Sequence, residues 1–184
     1  VQARTARGTP AWMPAPPRAF PIPSYASTVF HQLVRGWYAT VAEIVRPYLA
    51  PDGPVVALGV DNEAQLFFRA GAFDLDYHPD ALAWWEEASG LSEPPRAWDP
   101  ADAARCALWV KLKDEYLARA LGAFAHMLDE VGLDGVARFH NLPPGHFGLY
   151  DLRLIQAAIG GPVGIDAYTP RAGFAELRRR GHAL

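Results

Sequence analysis

The chain has a single cysteine, Cys106, and no apolar run near the roughly 20 residues that a membrane-spanning helix requires. One cysteine rules out an internal disulfide and leaves the redox compartment unread. An excess of one charge is also missing. Seventeen Lys and Arg stand against 20 Asp and Glu, a net charge of -3, too small for an electrostatic hold on nucleic acid or anionic membrane. Neither partner is expected. The chain has no GxGxxG or GxxxxGK[ST] phosphate loop, no HExxH pair and no nucleophile-elbow serine. His140, His146, Asp61 and Asp166 have no i, i+4 ligand spacing, so no metal is expected, and no cofactor. A secretory signal pattern and an initiator Met are both missing. The chain is expected to be an internal piece of something longer.

What is present is enough for one domain with a core: 184 residues, 51% hydrophobic and 12% aromatic. Residues 1–23 are Pro-rich without periodicity and are expected to be an irregular loop. Ser24 is expected to cap a helix reaching about Leu49. Its stripe is Val29, Phe30, Leu33, Val34, Trp37, Val41, Ile44, Val45 and Tyr48. Pro51-Asp52-Gly53-Pro54 ends it. Val55 to Val60 then form a short uncharged run that stops at Asp61-Asn62-Glu63. Such a run predicts a fully buried, parallel strand. Residues 64–98 follow as a long aromatic loop, with a short helix over Asp80–Ala88 closed by Gly90.

Asp99-Pro100 opens a second long helix, with a buried stripe through Leu117, Leu121, Phe124, Leu128 and Val131 and a stop at Gly132. Cys106 is expected in its core. Lys111, Lys113, Asp114, Glu115 and Arg119 are expected on a solvated face. A strand over Gly135–Phe139 ends in His140-Asn141, a helix spans Asp151–Ile159, and a strand over Pro162–Ile165 ends in Asp166-Ala167-Tyr168. A last helix is expected over Pro170–Arg180. Strands alternating with helices predict an α/β fold with a parallel sheet. All three strand ends carry polar residues, which would share one rim.

Glu63 at that rim is either a general acid kept protonated by burial or the partner of an arginine such as Arg69 or Arg138. Asn62, Asn141 and Tyr168 either bind ligand hydroxyls or tie strand ends to loops. A carboxylate, amides, a tyrosine and aromatic rings on one rim are the inventory of a carbohydrate enzyme.

Pro54-Val55-Val56-Ala57-Leu58-Gly59-Val60-Asp61-Asn62-Glu63 resembles the fourth strand of the (β/α)8 glycoside hydrolases of clan A. Family 35, the β-galactosidases, is the nearest match, and family 42 is similar. Thr9-Pro10-Ala11-Trp12-Met13 resembles the segment after the third strand of those enzymes. Phe139-His140-Asn141 and Asp166-Ala167-Tyr168 are similar to the ends of the fifth and sixth. The resemblance implies a partial TIM barrel over residues 1–184, about strands 4–6 with flanking helices, in which 64–98 is an active-site loop. It implies retaining hydrolysis of terminal β-galactosides with Glu63 as acid/base. Asn62 would bond the sugar 2-hydroxyl, and Trp12, Asn141, Asp166 and Tyr168 would contact the carbohydrate. The nucleophile would be a Glu ending a seventh strand, expected beyond Leu184 with the remainder of the barrel, so that this chain would be inactive alone. Asp61 stands where many members have Glu, and Gly59 where they often have Gln. Two other readings remain: a non-catalytic carbohydrate-binding remnant of such a barrel, and an α/β domain holding another small ligand at the same rim.

Overall fold

The computed structural model describes residues 1–64, 71–142 and 151–166. A two-stranded hairpin, β1 (Trp12–Ala15) and β2 (Arg18–Pro21), is followed by α1 (Thr28–Val45) and β3 (Ala57–Asn62). Then come α2 (Pro79–Ser89), α3 (Ala103–Glu130), β4 (Ala137–Leu142), α4 (Leu152–Ile159) and β5 (Val163–Ile165). β3, β4 and β5 form a parallel sheet in that order. The expected α/β class therefore holds as a three-stranded parallel sheet flanked by helices.

The sheet has two unlike faces. Val60, His140 and Leu142 are buried on the helix side, against a core that includes Phe124, Leu121 and Ile155. Gly59 and Phe139 are exposed on the other. β3 was expected to be fully buried, yet only Val60 in it is. Among the described residues nothing covers its second face, so its apolar run is buried on one side only.

Local chemistry explains the helix ends. Ser27, not Ser24, caps α1: its Oγ accepts the Phe30 N–H at 3.3 Å. Ser24 lies buried three residues earlier. Asp80, in the first turn of α2, reaches back to accept the Thr28 N–H at 2.7 Å, so one carboxylate serves two helix starts. Gly90 and Gly160 close α2 and α4 in the left-handed conformation that favours glycine. Asp151 caps α4. Asp99 caps a short 3-10 turn, Pro100–Asp102, which leads into α3. α3 and α4 approach closely where Gly122 meets Ala158: a Cβ at Gly122 would stand 3.1 Å from the Ala158 Cβ.

Three further expectations change. Residues 1–23 hold the hairpin, tied in by Ala3 and Ala11, both buried, through backbone bonds with Ile22. The α1 stripe is largely uncovered. Leu33, Trp37 and Ile44 are 59%, 65% and 65% exposed, while Tyr38 and Ala42 are the buried residues. Lys113, placed on a solvated face, is buried: its Nζ lies 3.2 Å from the centre of the Trp109 ring. Burial pushes its pKa down to about 7, against a smaller upward pull from Asp76. The Pro170–Arg180 helix lies outside the described residues.

Candidate active site

The C-terminal ends of the three parallel strands carry the candidate site. The ladder between β3 and β4 is regular through Gly59 opposite Phe139, then slips so that Asn62 stands opposite Asn141. Three residues on β3 thus span two on β4, a bulge. In unbroken alternation from Gly59, Asp61 would share the face of Gly59 and Phe139. The bulge puts Asn62 there instead.

Asn141 then bridges all three strands. Its Nδ2 donates to Asn62 Oδ1 at 3.1 Å and to Asp166 Oδ2 at 2.9 Å. Its backbone carbonyl accepts the Glu63 N–H at 3.1 Å. The Asp166 N–H bonds to the Leu142 carbonyl at 2.9 Å, which sets Asp166 at the end of β5. Glu63 is half-buried and has φ 51°. That is the left-handed region, which a non-glycine residue adopts at a cost of about 1 kcal/mol and which is enriched at functional sites. Arg138, one of the two arginines considered for Glu63, pairs with Asp129 of α3. The other, Arg69, lies outside the described residues.

Asp61 and His140 sit behind this rim. The Asp61 carboxylate accepts the Asn62 N–H at 2.8 Å. Burial raises its pKa, and that bond pulls the other way. Asp61 in turn raises the pKa of Tyr25 and Tyr38, for which burial is the larger cause. His140 does not face the rim. It is fully buried on the helix side, its Nδ1 3.1 Å from the Asp61 carbonyl. A carbonyl only accepts, so Nδ1 carries the proton. Burial lowers the His140 pKa to about 4, opposed by that hydrogen bond and by Asp166, and the ring is neutral at pH 7.

A cleft of about 540 Å³ opens beside these groups, with Asp61, Asn62, Asn141 and Asp166 on its polar side. Trp37 and Tyr38 of α1 and Phe139 of β4 are among its aromatic walls. Of the expected site residues, the structure brings Asn62, Asn141 and Asp166 together, with Glu63 next in the chain. Glu63 does not line this cleft. Trp12 lies in β1, 55% exposed, and does not line it either. Tyr168 lies outside the described residues. The aromatics of residues 71–98 turn away: Tyr77 and Trp85 pack on Trp109 in a separate small core. Asp61 lines the cleft from the strand end where the sequence put it, though with no role assigned, while Trp37, Tyr38 and Phe139 are cleft residues that the sequence reading did not place at the site. Phe139 could have been found from its alternation with Asn141, but the phase of Asp61 is hidden by the bulge.

Among the described residues no three His, Cys, Asp or Glu side chains cluster as a metal site would. No helix among them is long and apolar enough to cross a membrane. The chain matches no protein-family model and no curated protein sequence.

Proposed function

We propose that the chain is part of the catalytic barrel of a β-galactosidase-like glycoside hydrolase, cleaving terminal β-glycosidic bonds with retention. Glu63 serves as acid/base and Asn62 as a donor to a sugar hydroxyl. The observation that carries this reading is the convergence of three parallel strand ends, Asn62-Glu63, Asn141 and Asp166, in one bonded group. Parallel α/β sheets and barrels place their chemistry at that end. The second sheet face, with Gly59 and Phe139 exposed, has the one-sided form of a sheet whose other side looks into a barrel.

In this mechanism Glu63 protonates the departing glycosidic oxygen and then takes a proton from the incoming water. A second carboxylate about 5–5.5 Å away attacks the anomeric carbon. The Asn141 carbonyl holds the Glu63 backbone, and the left-handed φ turns the residue out of the strand's alternation.

A second reading, carbohydrate binding without hydrolysis, is favoured by one observation: the cleft lined by the amides excludes Glu63. Turnover of 4-nitrophenyl β-galactoside, assayed with the chain joined to the rest of the barrel that supplies the second carboxylate, separates the two. If Glu63 is the acid, Glu63→Gln lowers turnover by about 10²–10⁴. The loss is smaller with a 2,4-dinitrophenyl leaving group, which needs less protonation. Galactose binding with no turnover selects the second reading. No binding of any sugar ends both.

A further inference from the structure

The hydrogen bonds at the rim run in one direction. A carboxylate accepts and does not donate. Asn141 must therefore face Asp166 with Nδ2, because the reverse orientation would set its carbonyl oxygen against Asp166 Oδ2 at 2.9 Å. The second hydrogen of the same Nδ2 is directed to Asn62, 3.1 Å away. Asn62 must therefore meet it with Oδ1. Among the described residues nothing accepts the two N–H groups of Asn62, an exposed residue that lines the cleft. Amide orientations are assigned from such networks, and here a single acceptor-only group assigns both.

We propose that Asp166 is a positioning residue rather than a sugar contact: acting through Asn141, it locks the Asn62 amide with its donors toward the cleft, so that the site selects a ligand hydroxyl able to accept a hydrogen bond there. This rests on the carbohydrate reading for the class of ligand. The relay itself rests on two bond lengths and on the register that sets Asn62 opposite Asn141 and Asn141 opposite Gly164. Replacing Asp166 by Asn keeps the shape and removes the constraint, since an amide can meet Asn141 with either end. Asn141 and Asn62 can then both turn over, presenting an acceptor where a donor stood.

The test uses methyl β-galactoside and its monodeoxy analogues, each lacking one hydroxyl, with affinities read by calorimetry. The wild type is expected to bind one analogue about tenfold more weakly, the worth of one hydrogen bond. Asp166→Asn shrinks that penalty to about twofold and leaves the other analogues in their wild-type order. In an Asn62→Ala background Asp166→Asn has no further effect, the signature of coupled residues. Asn141→Ala, which cuts the relay and keeps both ends, is expected to reproduce the same loss of selectivity should Asp166→Asn fold poorly.

If Asp166→Asn weakens every ligand alike, or by the same factor with Asn62 absent, Asp166 touches the sugar itself. The proposal then falls while the carbohydrate reading stands. If no methyl galactoside binds the wild type, that reading falls, and the side-chain amide resonances of the free protein judge the relay. The Asn62 and Asn141 signals shifting together in Asp166→Asn supports it. Unmoved signals overturn it.

Discussion

α1 and α3 are the two long helices among the described residues, and they cover their apolar stripes to very different degrees. α1 carries eight of the nine apolar residues of the expected stripe, yet it buries two residues, Tyr38 and Ala42. α3 carries a run of charges from Lys111 to Arg119, yet it buries eleven residues, Lys113 among them. α3 packs against α1, α2, α4 and the sheet and keeps one exposed face, through Lys111, Glu115 and Arg119. α1 touches the core along one edge, where Tyr38 bonds the Val60 carbonyl. Periodicity reports which residues share a face. Whether that face is covered depends on what stands next to it, which no single helix encodes.

The contrast can be pressed hardest in the centre of α3. Phe124→Ala removes a 1% exposed ring that packs on Tyr25, Phe30 and His31, and is expected to destabilise by about 3–5 kcal/mol in urea unfolding. A loss under about 1 kcal/mol would make α3 as loosely held as α1. Lys113 offers a test by pH. Its folded pKa, about 7, lies below the 10.5 of an unfolded lysine. Between those values the unfolded chain binds more protons, so stability rises with pH, by about 3 kcal/mol from pH 7 to 9.5. Lys113→Met is expected to flatten that rise, and an unchanged slope would put the lysine in solvent. The window stays clear of His140, whose lowered pKa makes stability fall only as pH drops from 6.5 toward about 4.

Smaller effects belong to α1. Ser27→Ala removes its cap and is expected to lower stability by about 1 kcal/mol, measured by thermal unfolding. Trp37→Ser, at a residue 65% exposed, is expected to change stability by less than about 0.5 kcal/mol. A loss of 2 kcal/mol or more would mean that this face is covered in solution.

Where turn chemistry is explicit, the sequence is readable. Gly90 and Gly160 mark the ends of α2 and α4 to within a residue, and Asp151 marks the start of α4. The order of strands and helices, and hence the parallel sheet, follows from the same punctuation. The hairpin at Trp12–Pro21 is hidden because prolines sit inside both of its four-residue strands. Lys113 did leave a trace: it stands four residues from Trp109 and four from Leu117, on one helical face with both, so its neighbours predicted its burial better than its charge did.

The site divides in the same way. Asn62, Asn141 and Asp166 converge because strand ends in a parallel sheet must share an edge. His140 could not be placed by that rule, since one residue of phase decides between rim and core. The Asp61–Asn62 exchange was invisible because a bulge is a count of residues across two strands, and a single strand read alone contains no such count.

Asp76, fully buried, accepts the Arg4 N–H at 3.0 Å, the His78 N–H at 2.9 Å and the Tyr116 hydroxyl at 2.8 Å. The Tyr116 oxygen in turn accepts the Ala26 N–H at 3.1 Å. Amides from the N-terminal segment, the approach to α1 and the approach to α2 therefore hang from one carboxyl. In deuterated buffer these three sites, distant in sequence, should open on a common timescale as a single cooperative unit.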